Sequence, residues 1–123
     1  MFIGHLAVGF AAKRAAPKTT LGLLMAAPLL LDLIWPLLVL AGLERVEINP
    51  GNTAFTPLAF VHYPITHSLV GATAWALAAA AGYWAVTRYR RGALVIGVAV
   101  LSHWFMDAIV HRPDLPPYPG SVA

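Results

Sequence analysis

The sequence predicts an all-α fold: a polytopic membrane helix bundle of about four segments, the first one short, with both termini outside. It reads as a single membrane-embedded helical domain over residues 1–123. Three observations carry this. Only 11% of the residues are charged, against roughly 25% in an ordinary soluble domain. Fully 59% are hydrophobic, and the mean hydropathy is +0.73. The Lys and Arg residues gather mainly in two short clusters between long apolar runs. So few charges cannot cover a water-facing surface, and lipid is the expected solvent. A disordered tail is excluded. The net charge of +3 is too thinly spread for a nucleic-acid module, so no nucleic-acid partner is expected. The absence of Cys rules out disulfides, thiolate zinc sites and thiol nucleophiles.

The first segment is Phe2 to Ala16. Its positive charges, Lys13, Arg14 and Lys18, follow the apolar run. A cleaved signal peptide carries them before it, so this reads as a retained helix. At about 22 Å it falls short of a hydrocarbon core of about 30 Å. The second segment, Thr19 to Leu43, has Asp32 as its only charge, bracketed by Pro28 and Pro36. Each proline removes a backbone donor and kinks the helix, which neighbouring helices accommodate in lipid.

Glu44 to Thr66 is the main non-helical stretch, with a turn at Asn49-Pro50-Gly51-Asn52. A short interfacial or re-entrant piece is expected around Pro57 to Val61. The third segment, His67 to Thr87, is rich in Ala, and Gly71, Ala72 and Gly82 permit close helix approach. Arg88, Arg90 and Arg91 form a basic turn with Gly92. The fourth segment runs from Ala93 to about His111. Arg112 to Gly120, with Pro113, Pro116, Pro117 and Pro119, reads as extended chain outside the membrane.

The two basic clusters join segments one to two and three to four, whereas the loop between segments two and three carries Arg45 alone. Lys and Arg accumulate on the cytoplasmic side. Both hairpin turns are therefore expected inside, and the long loop and both termini outside.

Ionisable groups inside a membrane cost at least about 2.5 kcal/mol on insertion scales and need a partner or a function. Counting from the turns at 1.5 Å per residue, His5, Asp32 and His103 fall at one level, roughly 18 to 21 Å away. Asp107 lies one turn further out, His111 another, and His67 is expected near the outer end beside His111. His103, Asp107 and His111 are spaced i, i+4, i+8 and share a helix face. Imidazole and carboxylate one turn apart suit a divalent metal such as zinc, iron or manganese, and without thiolate there is no bias towards soft metals. A buried carboxylate that only ties helices together, a hydrogen-bonded His103–Asp107 pair, an interfacial His5 and a helix-capping His67 are the plainer readings of the same residues. His62 and His111 read as interfacial.

Gly4-His5-Leu6-Ala7-Val8-Gly9, the mid-helix Asp32, His62-Tyr63-Pro64-Ile65-Thr66-His67-Ser68-Leu69 and Ser102-His103-Trp104-Phe105-Met106-Asp107 follow one another in order. In this the chain resembles the YdjM-type bacterial inner-membrane proteins, a family described as metal-dependent hydrolases. Thr-His-Ser-Leu and Ser-His-x-x-x-Asp are the most specific pieces. The resemblance implies a divalent-metal site built from His5, Asp32, His67, His103 and Asp107, and a distant likeness to zinc-dependent phospholipases C. Family members often carry Pro-Asp-x-Asp on the second helix, whereas Leu31-Asp32-Leu33-Ile34 has a single Asp. They also tend to be longer, so the resemblance implies a minimal member or a fragment.

The expected function is divalent-metal-dependent hydrolysis in the outer half of the membrane. An amphiphilic substrate, such as a phospholipid or lipid-linked phosphoester, fits that depth. A carboxylate or imidazole not used by the metal, Asp107 or His111, would act as general base or acid. Two rival classes share these residues. One is a metal, ion or proton carrier, which would need the chain to form a homo-oligomer. The other is a structural or regulatory membrane protein whose polar groups only fix packing.

Overall fold

The computed structural model describes residues 2–51, 58–110, 115 and 117–119. Helix α1 (Phe2–Ala15) is about 21 Å long, the short segment expected. It ends in a tight turn, where Lys13 Nζ donates to the carbonyls of Pro17 at 2.9 Å and Thr19 at 2.7 Å. This lysine, in the last turn of α1, therefore ties down the carbonyls of the turn that follows.

The second segment is two helices in line. Helix α2 (Leu21–Ala26) passes through a 3-10 turn (Ala27–Leu29) into α3 (Leu30–Leu40). Pro28 lies in that turn and has no N–H for the Leu24 carbonyl. A side chain at Gly9 would lie 2.7 Å from that carbonyl oxygen, so glycine lets α1 settle on this stretch. The apolar rod stops at Leu40, earlier than the expected Leu43. Gly42 takes φ +75° just past the end, and the Leu43 and Glu44 amides both turn back to the Leu38 carbonyl.

The loop that follows is a β-hairpin rather than a re-entrant piece. Strands β1 (Arg45–Ile48) and β2 (Leu58–His62) pair antiparallel, with Val46 opposite Phe60 and Ile48 opposite Leu58. Apolar runs this short do not distinguish strand from helix by periodicity. The partner strand and the intervening turn decide it.

Helix α4 (Leu69–Thr87) starts at Ser68, whose hydroxyl accepts the Gly71 amide at 2.9 Å. Helix α5 (Arg90–Val110) follows after only Arg88 and Tyr89. Arg90, Arg91 and Gly92 thus belong to the helix, not to the turn as expected. Arg88 makes the reversal alone, in the left-handed region at φ 56° with its guanidinium 5.2 Å from the Trp84 ring centroid.

Three stretches, Leu21–Leu40, Leu69–Thr87 and Arg90–Val110, are long and apolar enough to cross a bilayer. Helix α5 is central, with α1, the 3-10 turn and α4 packed on it. Leu24, Leu31, Ala72, Ala76, Ile96 and Val100 form the core. Small residues let α4 and α5 approach closely, as at Gly97 beside Ala76 and Ala80. Of the small residues singled out on α4, Gly71 and Ala72 are tightly packed, but Gly82 faces open space. Large apolar side chains such as Leu37, Leu77, Val86, Leu94, Val98 and Ile109 point outward, as a lipid-facing surface requires.

The two basic turns lie together at one end. Thr19 Oγ1 is 2.9 Å from Tyr83 Oη, and Lys18 Nζ is 5.9 Å from the Tyr89 ring centroid. The end of α3, the hairpin and the start of α4 lie towards the opposite end, where Val70 N–H meets the Pro117 carbonyl at 3.2 Å.

Candidate metal centre

Five ionisable side chains from distant parts of the chain converge against α5. His5 comes from α1, Asp32 from the first turn of α3, His67 from the turn before α4, and His103 and Asp107 from one face of α5. His5, His103 and Asp107 form one candidate ligand set, and Asp32, His67 and His103 form another. The three ligand atoms in each set lie within 4.8 Å of one another.

Asp107 joins two imidazoles. Its Oδ1 lies 3.2 Å from His5 Nε2 and its Oδ2 lies 3.2 Å from His103 Nε2. Asp32 Oδ1 faces the other side, 3.5 Å from His67 Nε2 and 3.5 Å from His103 Nε2. The His5 and His103 rings stack at 4.1 Å, and His67 meets His103 edge-on at 5.3 Å. His5 and His103 are fully buried, whereas the Asp32 side chain is 39% exposed. Asp32 is thus the open wall of the cluster.

The backbone orients His103. Its Nδ1 lies 2.7 Å from the Pro28 carbonyl oxygen. A carbonyl only accepts, so Nδ1 carries the hydrogen. The other nitrogen, Nε2, is buried, and carboxylate oxygens approach it from two sides. An imidazole electron pair facing two carboxylates is repelled by both unless a cation lies between them. Either a proton on Nε2 or a metal ion supplies it. Two carboxylates also balance a divalent charge, which avoids leaving net charge in a low-dielectric interior.

Five of the six expected site residues are therefore brought together. His67 is corrected in position. It lies beside His103 rather than two turns further out beside His111, because α4 begins only at Leu69. The preceding turn, held by His67 N–H to the Tyr63 carbonyl at 3.0 Å, folds the imidazole back. Ser68, not His67, caps the helix. His62 is exposed in β2 and belongs to neither ligand set. His111 lies outside the described residues.

Three contributors were missed in the sequence. One is the Pro28 carbonyl, a backbone group that no motif reveals. The others are Glu44 and Thr66, both buried. Glu44 Oε1 accepts the amides of Ile65 and Thr66, each at 2.8 Å, which ties the end of α3 to the turn carrying His67. An acidic residue just past a helix end, in so apolar a chain, was the available signal.

Comparison with protein-family models, with curated proteins and with solved structures returns no match to this chain.

Proposed function

We propose that this is a membrane-embedded hydrolase dependent on a divalent metal, zinc first, acting on a phospholipid or lipid-linked phosphoester. The resemblance to the YdjM-type proteins supports the same reading and suggests the bacterial inner membrane. One observation carries the metal: three imidazoles and two carboxylates converge on His103, which is shared by two candidate ligand sets and oriented by Pro28. His103, His67 and Asp32 would hold the ion from one side, and Asp107 and His5 from the other. A zinc ion in such a site supplies positive charge that acidifies water and polarises a phosphoryl oxygen.

The chain's own groups divide the remaining work. Asp107 holds the imidazoles of His5 and His103 against one another. Asp32, the partly exposed carboxylate, is the group a substrate would meet, and the oxygen it does not give to the metal would accept a proton from water. Hydrolysis adds water across one P–O bond and releases an alcohol, which takes up a proton in turn. The lipid-facing surface suits an acyl-bearing substrate.

Elemental analysis of the purified protein, paired with release of the alcohol from a short-chain phosphodiester lipid in detergent, tests this reading. About one zinc per chain and zinc-dependent turnover are expected. Full stability and no bound metal after zinc loading would instead leave the residues a purely structural role. Zinc uptake into liposomes without hydrolysis would assign them to a carrier.

A further inference from the structure

Glu44 and Thr66 lie behind His67 in a chain of hydrogen bonds with one internally consistent direction. Glu44 Oε1 receives the Ile65 and Thr66 amides, and Thr66 Oγ1 donates to Glu44 Oε2 at 2.8 Å. The Thr66 hydroxyl has a single hydrogen, and this bond uses it. Thr66 Oγ1 is also 2.7 Å from His67 Nδ1. At that contact the hydroxyl can only accept, so the hydrogen must sit on the ring nitrogen. The opposite nitrogen, Nε2, then faces Asp32 Oδ1 at 3.5 Å.

We propose that Glu44, acting through the Thr66 hydroxyl, is a positioning residue that fixes the hydrogen of His67 on Nδ1 and turns its Nε2 electron pair into the cluster. In the metal-free protein the Thr66 contact sets this tautomer against the repulsion between the Nε2 electron pair and Asp32 Oδ1, which a bound cation would relieve. Its consequence for metal affinity rests on the function proposed above. The arrangement parallels His103, whose Nδ1 is committed to Pro28. Outer partners of this kind fix ring orientation and tautomer in metal sites. The two devices differ in one respect. Pro28 offers a backbone carbonyl, but Glu44 offers a side chain that substitution can reverse.

The carboxylate is well held for this task. The Glu44 amide returns to the Leu38 carbonyl at 3.2 Å, and the side chain is buried. On the other side, Gly71 lies so close to the Ile65 carbonyl that no side chain fits there. Residues 64–66 are therefore clamped between Glu44 and the first turn of α4, and the hydroxyl has little freedom to turn.

Glu44→Gln tests the direction of the chain with almost no change of shape. The amide oxygen can replace Oε1 as acceptor of both backbone amides. The amide nitrogen must then donate to Thr66 Oγ1, which releases the hydroxyl hydrogen to His67 Nδ1. His67 is driven to carry its hydrogen on Nε2. The measurement is 15N NMR of histidine-labelled, metal-free protein in detergent, at a pH where the rings are neutral. The His67 signal is identified by its loss in His67→Asn.

The expected result is an Nδ1–H ring in the parent and in Thr66→Ser, and an Nε2–H ring in Glu44→Gln. Zinc affinity should fall by about 10- to 100-fold in Glu44→Gln, with helix content by circular dichroism unchanged. An Nε2–H ring in the parent, or an Nδ1–H ring in folded Glu44→Gln, overturns the proposal. Should Glu44→Gln not fold, Thr66→Val decides, because it leaves Glu44 and both backbone bonds in place. The Nδ1–H preference must then be lost, and its persistence overturns the proposal. A parent that binds no zinc but shows the tautomer switch sinks the metal reading and leaves the role of Glu44 standing. Zinc binding with no switch does the reverse.

Discussion

His103 Nδ1 and the Pro28 carbonyl oxygen meet at 2.7 Å, across 75 positions of sequence. Proline shapes this contact through what it lacks. Without an N–H it interrupts the α-helical ladder, and the chain tightens into a 3-10 turn between α2 and α3. The carbonyl in that turn becomes the acceptor for the central imidazole. Pro28→Ala restores the missing N–H and favours a continuous α-helix over Leu21–Leu40. Helix content should hold or rise, while zinc affinity falls by about 10- to 100-fold, as expected for loss of an outer partner. Zinc titration beside far-ultraviolet circular dichroism checks both. A variant that keeps the parent affinity would show that His103 is oriented by its neighbours rather than by this bond.

His103 takes part in both candidate ligand sets, so its loss should be felt more than that of any other site residue. His103→Ala should cost more than the 10- to 100-fold typical of an outer partner and leave the purified protein with little zinc. His62 is the matched comparison, since it is exposed and belongs to neither set. His62→Ala should retain the parent metal content. Equal loss in both variants would point to non-specific metal binding by imidazoles.

The features that were legible in the sequence are those lipid imposes. Long apolar runs gave the spanning segments to within a few residues, because each must match the bilayer. Scarcity of charge gave Asp32 and Asp107, because carboxylates are costly there. Counting rise per residue put His5, Asp32 and His103 at one level, since all three lie in regular helix. It failed for His67, which sits in a turn, where 1.5 Å per residue no longer holds. Glu44 lies in the non-helical stretch by sequence, and nothing there shows that its carboxylate is buried against the amides of Ile65 and Thr66. The hairpin itself depends on pairing between segments, which a single short apolar run does not display.

Two glycines separate packing from propensity. A side chain at Gly71 would overlap the Ile65 carbonyl, a backbone atom with nowhere to move, whereas Gly22 faces open space. Gly71→Ala should therefore destabilise by about 1 to 3 kcal/mol, the usual range for overpacking. It should also displace His67 and weaken zinc binding. Gly22→Ala lies in helix α2 and should be neutral or stabilising by up to about 1 kcal/mol. Unfolding in graded denaturant, with zinc titration of each variant, reads the two effects. Weakened stability without weakened zinc binding at Gly71→Ala would mean that His67 is not held by this turn.

The two basic turns touch, so in a chain that spans a membrane they would face the same side. Thr19 Oγ1 lies 2.9 Å from Tyr83 Oη, and Lys18 lies over Tyr89. The remaining choice is which side, and there the charges decide. Lys13, Arg14 and Lys18 flank one turn, and Arg88, Arg90 and Arg91 flank the other. The hairpin end offers Arg45 beside Glu44 and Glu47. The positive-inside bias then predicts the turns in the cytoplasm and the hairpin outside. The chain has no Cys, so single cysteines report without background. Glu47→Cys, in exposed β1, should react with a membrane-impermeant maleimide in intact cells. Thr87→Cys, beside the second turn, should react only after permeabilisation. The opposite pattern would invert the molecule and move the entry to Asp32 towards the cytoplasmic leaflet, so that the substrate would have to come from that side.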